Sequence, residues 1–166
     1  MGTRSTMAMR KPDGGFIATY CHWDGYPRNN GKILNEHYDS DEKVKDLLAL
    51  GDLSSLRPEV GEKHRFPGDH EVCSTAAWRQ LYDNWTTAYH RDRGEEWSTV
   101  APQHFKDAKE WVDSMSESWC EWAYMWDGEQ WLVHKITQDV RPGESEGYPL
   151  FDFAEIAIEK DAELAN

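Results

Sequence analysis

Residues 20–27, Tyr-Cys-His-Trp-Asp-Gly-Tyr-Pro, gather an imidazole, a thiol, a carboxylate and three rings in one short stretch. On an extended chain alternate side chains share a face, so His22 stands with Tyr20 and Phe16 and turns away from Cys21. Asp24 follows just past the end of the extended run. An imidazole near a carboxylate gains basicity and can pass a proton, which makes His22 and Asp24 the candidate catalytic pair if the chain is an enzyme. The alternative for Asp24 is a carboxylate that holds the turn at Asp24-Gly25 through backbone amides. Cys21 lacks an adjacent base on its own face and would need His37, His90 or His134 from elsewhere. It reads as a small buried hydrophobe.

A second dense stretch, Ala-Tyr-His-Arg-Asp-Arg-Gly-Glu-Glu-Trp, occupies residues 88–97. Read as the end of a strand, it projects Arg91 and Arg93 from one side, where two guanidinium forks would grip a phosphate or carboxylate together. Trp23 and Tyr26 would stack on a planar ligand. Together with Glu95 these residues define a candidate site for a nucleotide or other anion, built where the two stretches meet. The competing reading makes the arginines internal counterions for Asp24 or for the acidic end of the chain. Neither a GxGxxG nor a GxxxxGK[ST] loop is present, which disfavours the familiar nucleotide folds. His64, His70 and Cys73, completed by Cys21 or His22, have zinc-ligand chemistry but none of the usual CxxC or HxxxH spacings. No metal or cofactor is assigned.

The charge balance narrows the partners. Eighteen basic and 31 acidic side chains give a net charge of −13, and residues 110–166 hold 3 basic against 14 acidic ones. Such a surface repels nucleic acid and anionic lipid, so neither direct nucleic-acid binding nor membrane binding is expected. Glu110, Asp113, Glu117, Glu121, Asp127 and Glu129, interleaved with tryptophans such as Trp122, instead form a candidate surface for a basic protein partner, with charges that mimic those of a nucleic acid. The sequence has no apolar run of about 18 residues and no charged-then-apolar leader. With three cysteines and no CxxC, it is expected in the reducing cytoplasm;.

The elements that would position these residues follow from pattern. Thr3 to Met9 and Phe16 to Trp23, joined by Lys-Pro-Asp-Gly-Gly, predict a β-hairpin. A short helix follows Pro27, capped by Asn29 or Asn30, with Ile33, Leu34, His37 and Tyr38 on one face. Ser40 caps a second helix with Asp41 and Glu42 in its first turn, Val44, Leu47 and Leu48 on its buried stripe, and Gly51 as its stop. Residues 51–72 read as a long loop, a short helix fits between Cys73 and Tyr82, and Trp85 to His90 reads as a third strand. Pro102 opens a helix with Phe105, Ala108, Val112, Met115 and Trp119 on one stripe, ending near Ser118. Trp122, Tyr124 and Trp126 then share a strand face that turns at Asp127-Gly128 and returns through Trp131 and Val133 as a second hairpin. Residues 149–166 fit strand or helix equally. The whole is expected to be an α+β fold in a single domain, with a largely antiparallel sheet of two hairpins and a further strand, and helices on one face.

Arg4-Ser5-Thr6, the 20–27 stretch followed by Gly-Lys-Ile-Leu-Asn-Glu-His-Tyr at 31–38, Leu-Leu-Ala-Leu-Gly-Asp-Leu-Ser-Ser-Leu at 47–56 and Ala-Tyr-His-Arg-Asp-Arg-Gly-Glu at 88–95 recur together in this order. In these segments the chain resembles a family of small acidic proteins found mainly in bacteriophages and prophages. The family has no assigned activity, so the resemblance transfers no catalytic residue. It implies a phage-type accessory protein in the host cytoplasm, a non-enzymatic inhibitor or modulator that occupies the basic surface of a host or defence protein. The alternative is the nucleotide-binding or anion-binding protein, or small hydrolase, of the second paragraph.

Overall fold

The computed structural model describes residues 2–136 and the backbone of Ala154 and Glu155. Its centre is strand β1 (Arg4–Arg10), which pairs antiparallel with β2 (Phe16–Cys21) on one side and parallel with β6 (Cys120–Trp126) on the other. Beyond β2 lie β3 (Leu53–Ser55), parallel to it, and β4 (Thr87–Ala88), antiparallel to β3. β5 (Gln103–Phe105) also pairs with β2, antiparallel, against Phe16, Ile17 and Ala18. Beyond β6 come β7 (Trp131–Lys135) and β8 (Ala154–Glu155), both antiparallel. The eight strands form one mixed sheet in the order β4-β3-β2-β1-β6-β7-β8, with β5 beside β2.

The class is α+β, as the sequence predicts, but the sheet is mixed where a largely antiparallel one is expected. Both parallel pairings join distant segments: β1 to β6 across the chain, β2 to β3 across two helices. Period-2 alternation identifies strands without saying which distant strand adopts them.

Helices cover both faces, which corrects the one-sided arrangement. On one face α1 (Lys32–His37) and α2 (Asp41–Leu48) place Leu34, Tyr38, Val44, Leu47 and Leu48 against Met7, Cys21, Leu53, Trp122, Tyr124 and Trp126. On the other, α7 (Ala108–Glu117) packs Trp111, Val112 and Met115 against Ala8, Phe16, Ala18, Cys120, Ala123 and Met125. Central strands buried on both sides need two covers, and β6 is buried along its length except at Glu121. Three buried indoles lock the covers to the sheet. Trp111 Nε1 donates to Thr6 Oγ1 (2.9 Å), Trp126 Nε1 to Asp41 Oδ1 (2.7 Å) and Trp131 Nε1 to the Tyr38 carbonyl (2.7 Å). Each ring is thus buried with its polar handle satisfied.

Between α2 and α7 the chain differs from its pattern in several places. Leu53–Ser55, read as loop, is a buried strand. The 70–84 region holds α3 (His70–Cys73) and α4 (Ala76–Asn84), capped by Asp69 and Thr75. The strand read over Trp85 to His90 shrinks to Thr87–Ala88 and passes directly into α5 (Tyr89–Arg93), because the Asp92 carboxylate folds back to accept the Ala88 amide (2.8 Å). α6 (Trp97–Val100) precedes β5. Pro102 does not open a helix; Gln103–Phe105 pair with β2, and Asp107 caps α7 through the Glu110 amide (2.9 Å).

Candidate functional site

The 20–27 stretch is a pinned corner. After β2, the His22 and Trp23 amides donate to the Leu53 and Ser54 carbonyls, and the Gly25 amide donates to the Thr3 carbonyl (2.8 Å). Tyr124 Oη donates to the Gly25 carbonyl (2.6 Å). A Cβ at Gly25 would stand 2.6 Å from Ser5 Cβ and 2.8 Å from the Thr3 oxygen, so only glycine fits this approach;. Tyr26 precedes a π-helical segment, Pro27–Gly31, that runs into α1. Asn30 caps no helix. Fully buried, its side-chain amide donates to Ser5 Oγ, Cys21 Sγ and the Trp23 carbonyl.

Cys21 is fully buried and burial pushes its thiol up to about 11. It is a structural hydrophobe. Asp24 adopts the left-handed conformation (φ 56°), which Asp tolerates, and its carbonyl accepts Asn29 Nδ2 (3.2 Å). The partner of His22 is Tyr20, whose hydroxyl lies 2.8 Å from Nδ1, and not Asp24 as the sequence reading has it. Burial, then the nearby Arg4 charge, lowers the His22 pKa, while burial raises that of Tyr20. A phenol that keeps its proton beside a neutral imidazole donates to Nδ1. That fixes the Nε2–H tautomer and leaves this N–H as a donor on the side away from Tyr20. The His22 ring is thus paired with a phenol and not with a carboxylate.

The arginines of the second stretch stand elsewhere. In a helix, positions two apart do not share a side, and Arg91 and Arg93 lie in α5. Arg91 spends its guanidinium inward: Nε on Asp92 (3.1 Å), Nη1 on the Val60 and Gly61 carbonyls, and Nη2 on the Thr86 carbonyl (2.6 Å) and Asp92. The buried Asp92 also accepts the His64 and Ala88 amides. His64 Nε2 meets Thr87 Oγ1 at 2.9 Å, and Nδ1 meets the Glu62 carbonyl at 2.8 Å. This network ties the 56–69 segment to β4 and α5. Arg93 bonds Glu95 (2.8 Å) and lies over the rings of Phe66 and Tyr89. Neither arginine bonds His22, and Tyr26 packs partly buried on the core; of the proposed ligand set Trp23, 42% exposed, and Arg93 are open to solvent, and Arg93 is held by Glu95. Among the described residues no group of three or more His, Cys, Asp and Glu side chains is placed to hold a metal ion.

A cation the motif reading passed over takes their place. Extending the β1–β2 register by one pair sets Arg4 opposite His22, and residues directly opposite in an antiparallel pair share a face. Arg4 is half-buried, and its guanidinium makes no hydrogen bond or ion pair to the described residues. Its charge is felt by Tyr20, His22 and Cys120. On the far edge of β2, Asp52 fills a gap in the sheet. One edge of β2 pairs first with β5 and then with β3. Between them Asp52 Oδ1 accepts the Tyr20 amide (3.0 Å), a carboxylate standing in for strand backbone. Burial pushes this carboxyl up to about 6, against the lowering effect of that hydrogen bond.

The acidic residues divide into two groups. Glu110, Asp113 and Glu117 are spaced three and four apart on α7, opposite the buried Trp111, Val112 and Met115;. Glu121 is exposed just beyond, at the start of β6. Lys106 and Lys109 pair with Glu110 (3.9 Å) and Asp113 (2.6 Å); Glu117 and Glu121 make no ion pair with the described residues. Asp127 instead ties the β6–β7 turn by accepting the Glu129 and Gln130 amides. It and Glu129 lie a full strand away, about 20 Å from Glu121. Trp122 is 3% exposed, under Lys135, and therefore forms no part of a contact surface.

Trp119, read as the last core position of α7, is 66% exposed. The helix ends at Glu117, and Trp119 occupies the left-handed position (φ 65°) just past it, where glycine is usual;. Its ring therefore leaves the buried stripe, with Glu117 two residues before it and Glu121 two after it in the chain.

Fold and site together define an α+β protein with a mixed sheet, a pinned corner at one sheet end and an acidic helix edge carrying an exposed indole. No protein-family model, no curated protein and no solved structure matches the chain. No helix among the described residues is long and apolar enough to cross a membrane.

Proposed function

We propose that this chain is a phage-type accessory protein that works in the host cytoplasm as a non-enzymatic inhibitor or modulator. It docks on the basic surface of a host or defence protein through the edge formed by Glu110, Asp113, Glu117, Trp119 and Glu121. The observation that carries the reading is Trp119. An indole two-thirds exposed, with exposed glutamates two residues to either side in the chain, supplies an apolar anchor beside anionic groups;. At about 25 cal/mol per Å2, covering the open part of such a ring contributes about 3 kcal/mol. A left-handed backbone at a bulky residue costs about 1–2 kcal/mol, which a glycine there would avoid. The acidic side chains of α7 rise about 4.5 and 6 Å apart along the axis, against about 3.4 Å per phosphate along one DNA strand. They suit a partner whose basic groups already face a polyanion. Asp127 and Glu129 are too distant to share the contact.

The test is affinity capture from host lysate with three baits: the native chain, Trp119→Gly, and Glu117→Lys with Glu121→Lys. The left-handed position suits glycine, so the first variant keeps its fold, its relief of backbone strain offsetting the lost partial burial to within about 1 kcal/mol. A partner retained by the native bait and lost by both variants supports the docking edge. A partner held equally by all three refutes it.

A further inference from the structure

The end of the sheet holding the N-terminus of β1 carries a second, independent feature. The register extended by two pairs towards β2 and one towards β6 brings Trp23 and Trp119 opposite Thr3 from its two flanks, so their backbones lie about 10 Å apart, two strand spacings. They are two of the chain's exposed large side chains. On the α7 face between them lie Arg4 and His22, with His22 edge-on to Trp23 at 4.7 Å between ring centres.

We propose that the surface formed by Arg4, His22 and Trp23 binds a small phosphorylated ligand bearing a planar ring, of the mononucleotide class. The phosphate would be held by the Arg4 guanidinium and by the His22 Nε2–H, which the Tyr20 hydrogen bond turns outward. Guanidinium and N–H donors together match a phosphate's oxygens. The ring would stack on the open part of Trp23. What distinguishes Arg4 is that its half-buried guanidinium, in a chain of net charge −13, has neither a carboxylate nor a carbonyl partner among the described residues, whereas Arg91 and Arg93 each have a carboxylate and Arg57 bonds two carbonyls. Asp52 is already engaged by the Tyr20 amide, and burial raises its carboxyl to about 6. The candidate catalytic pairing with Asp24 is not needed, and no bond is made or broken.

The experiment is an NMR titration at pH 6 of the His22 ring and Trp23 indole signals with inorganic phosphate, adenosine, and adenosine and guanosine monophosphates, each to millimolar concentration. A nucleoside monophosphate that shifts both signals and binds at least about tenfold more tightly than phosphate, as one stacked base allows, is the expected result. Arg4→Gln should weaken it by about tenfold or more. Arg4→Lys, which keeps the charge, should recover part of the loss, and thermal melts of both variants separate lost binding from lost fold. Phosphate binding as tightly as the nucleotides overturns the ring assignment. Absence of any His22 shift, or Arg4→Gln binding like the native chain, overturns the site. The docking edge keeps Glu117 and Glu121 whichever way this falls.

Discussion

Asp52→Asn provides a direct test of the physical account of the sheet junction. The carboxyl of Asp52 ionises near 6 in the folded chain, against 3.8 unperturbed. Between these values the folded state holds more protons than the unfolded one, so this group's contribution to stability is greatest below pH 4 and is lost as the pH rises through 6. At 1.36 kcal/mol per pKa unit the loss is about 3 kcal/mol, and solvent reaching the partly exposed side chain screens it to about 2 kcal/mol. Asparagine keeps an oxygen to accept the Tyr20 amide and carries no charge. Native and variant should therefore have the same stability near pH 4, and the variant should gain about 2 kcal/mol above pH 7. For a chain of this size that is roughly 4–8 °C in melting temperature. Urea and thermal melts of both proteins from pH 4 to 8 measure it. Subtracting one curve from the other removes the pH dependence of every other carboxylate. A difference that does not change with pH, or a variant less stable at pH 7, would refute the assignment of Asp52 as a desolvated stand-in for strand backbone.

Two further outcomes are expected. Arg91→Ala should cost about 3–5 kcal/mol in urea melts, because it leaves the buried Asp92 carboxylate without its cation;, whereas an anion-gripping surface arginine would cost almost nothing. Of the three thiols, Cys73 alone should react with a disulfide reagent in the folded protein. Cys21 and Cys120 are buried with their thiol pKa values raised, and they should react only at the rate of unfolding.

How far the sequence could be read depended on whether a residue's role was local. α2 was legible in full, since Ser40 accepts the Lys43 amide and Val44, Leu47 and Leu48 are buried at helical spacing. The Trp122, Tyr124 and Trp126 face was legible for the same reason, its period lying within one strand. α7 was misread at both ends. Phe105 fits the helical spacing by coincidence while pairing with Phe16 across the sheet, and Trp119 continues that spacing after the helix has ended. The cap signal at Asp107 was present and outranks the periodicity. Arg91 and Arg93 were misread because a carboxylate that folds back four residues ends the strand at Ala88, a local hydrogen bond that β-propensity does not register;. Arg4 was within reach, since the register of the predicted first hairpin sets it opposite His22. Asp52 was not legible at all: its place beside Tyr20 depends on which distant strands share an edge of β2, and no local pattern records that.

The central claim is that an acidic edge anchored by Trp119 docks on a basic protein surface, and the salt dependence of that docking tests it most directly. With the captured partner in hand, Kd measured against ionic strength should rise steeply for the native chain. The slope should be shallower for Glu117→Lys with Glu121→Lys. For Trp119→Gly the slope should be unchanged but displaced to roughly 30-fold or more weaker binding, the loss of one interfacial anchor. Binding that is insensitive to salt, or a Trp119→Gly curve superimposed on the native one, would contradict it.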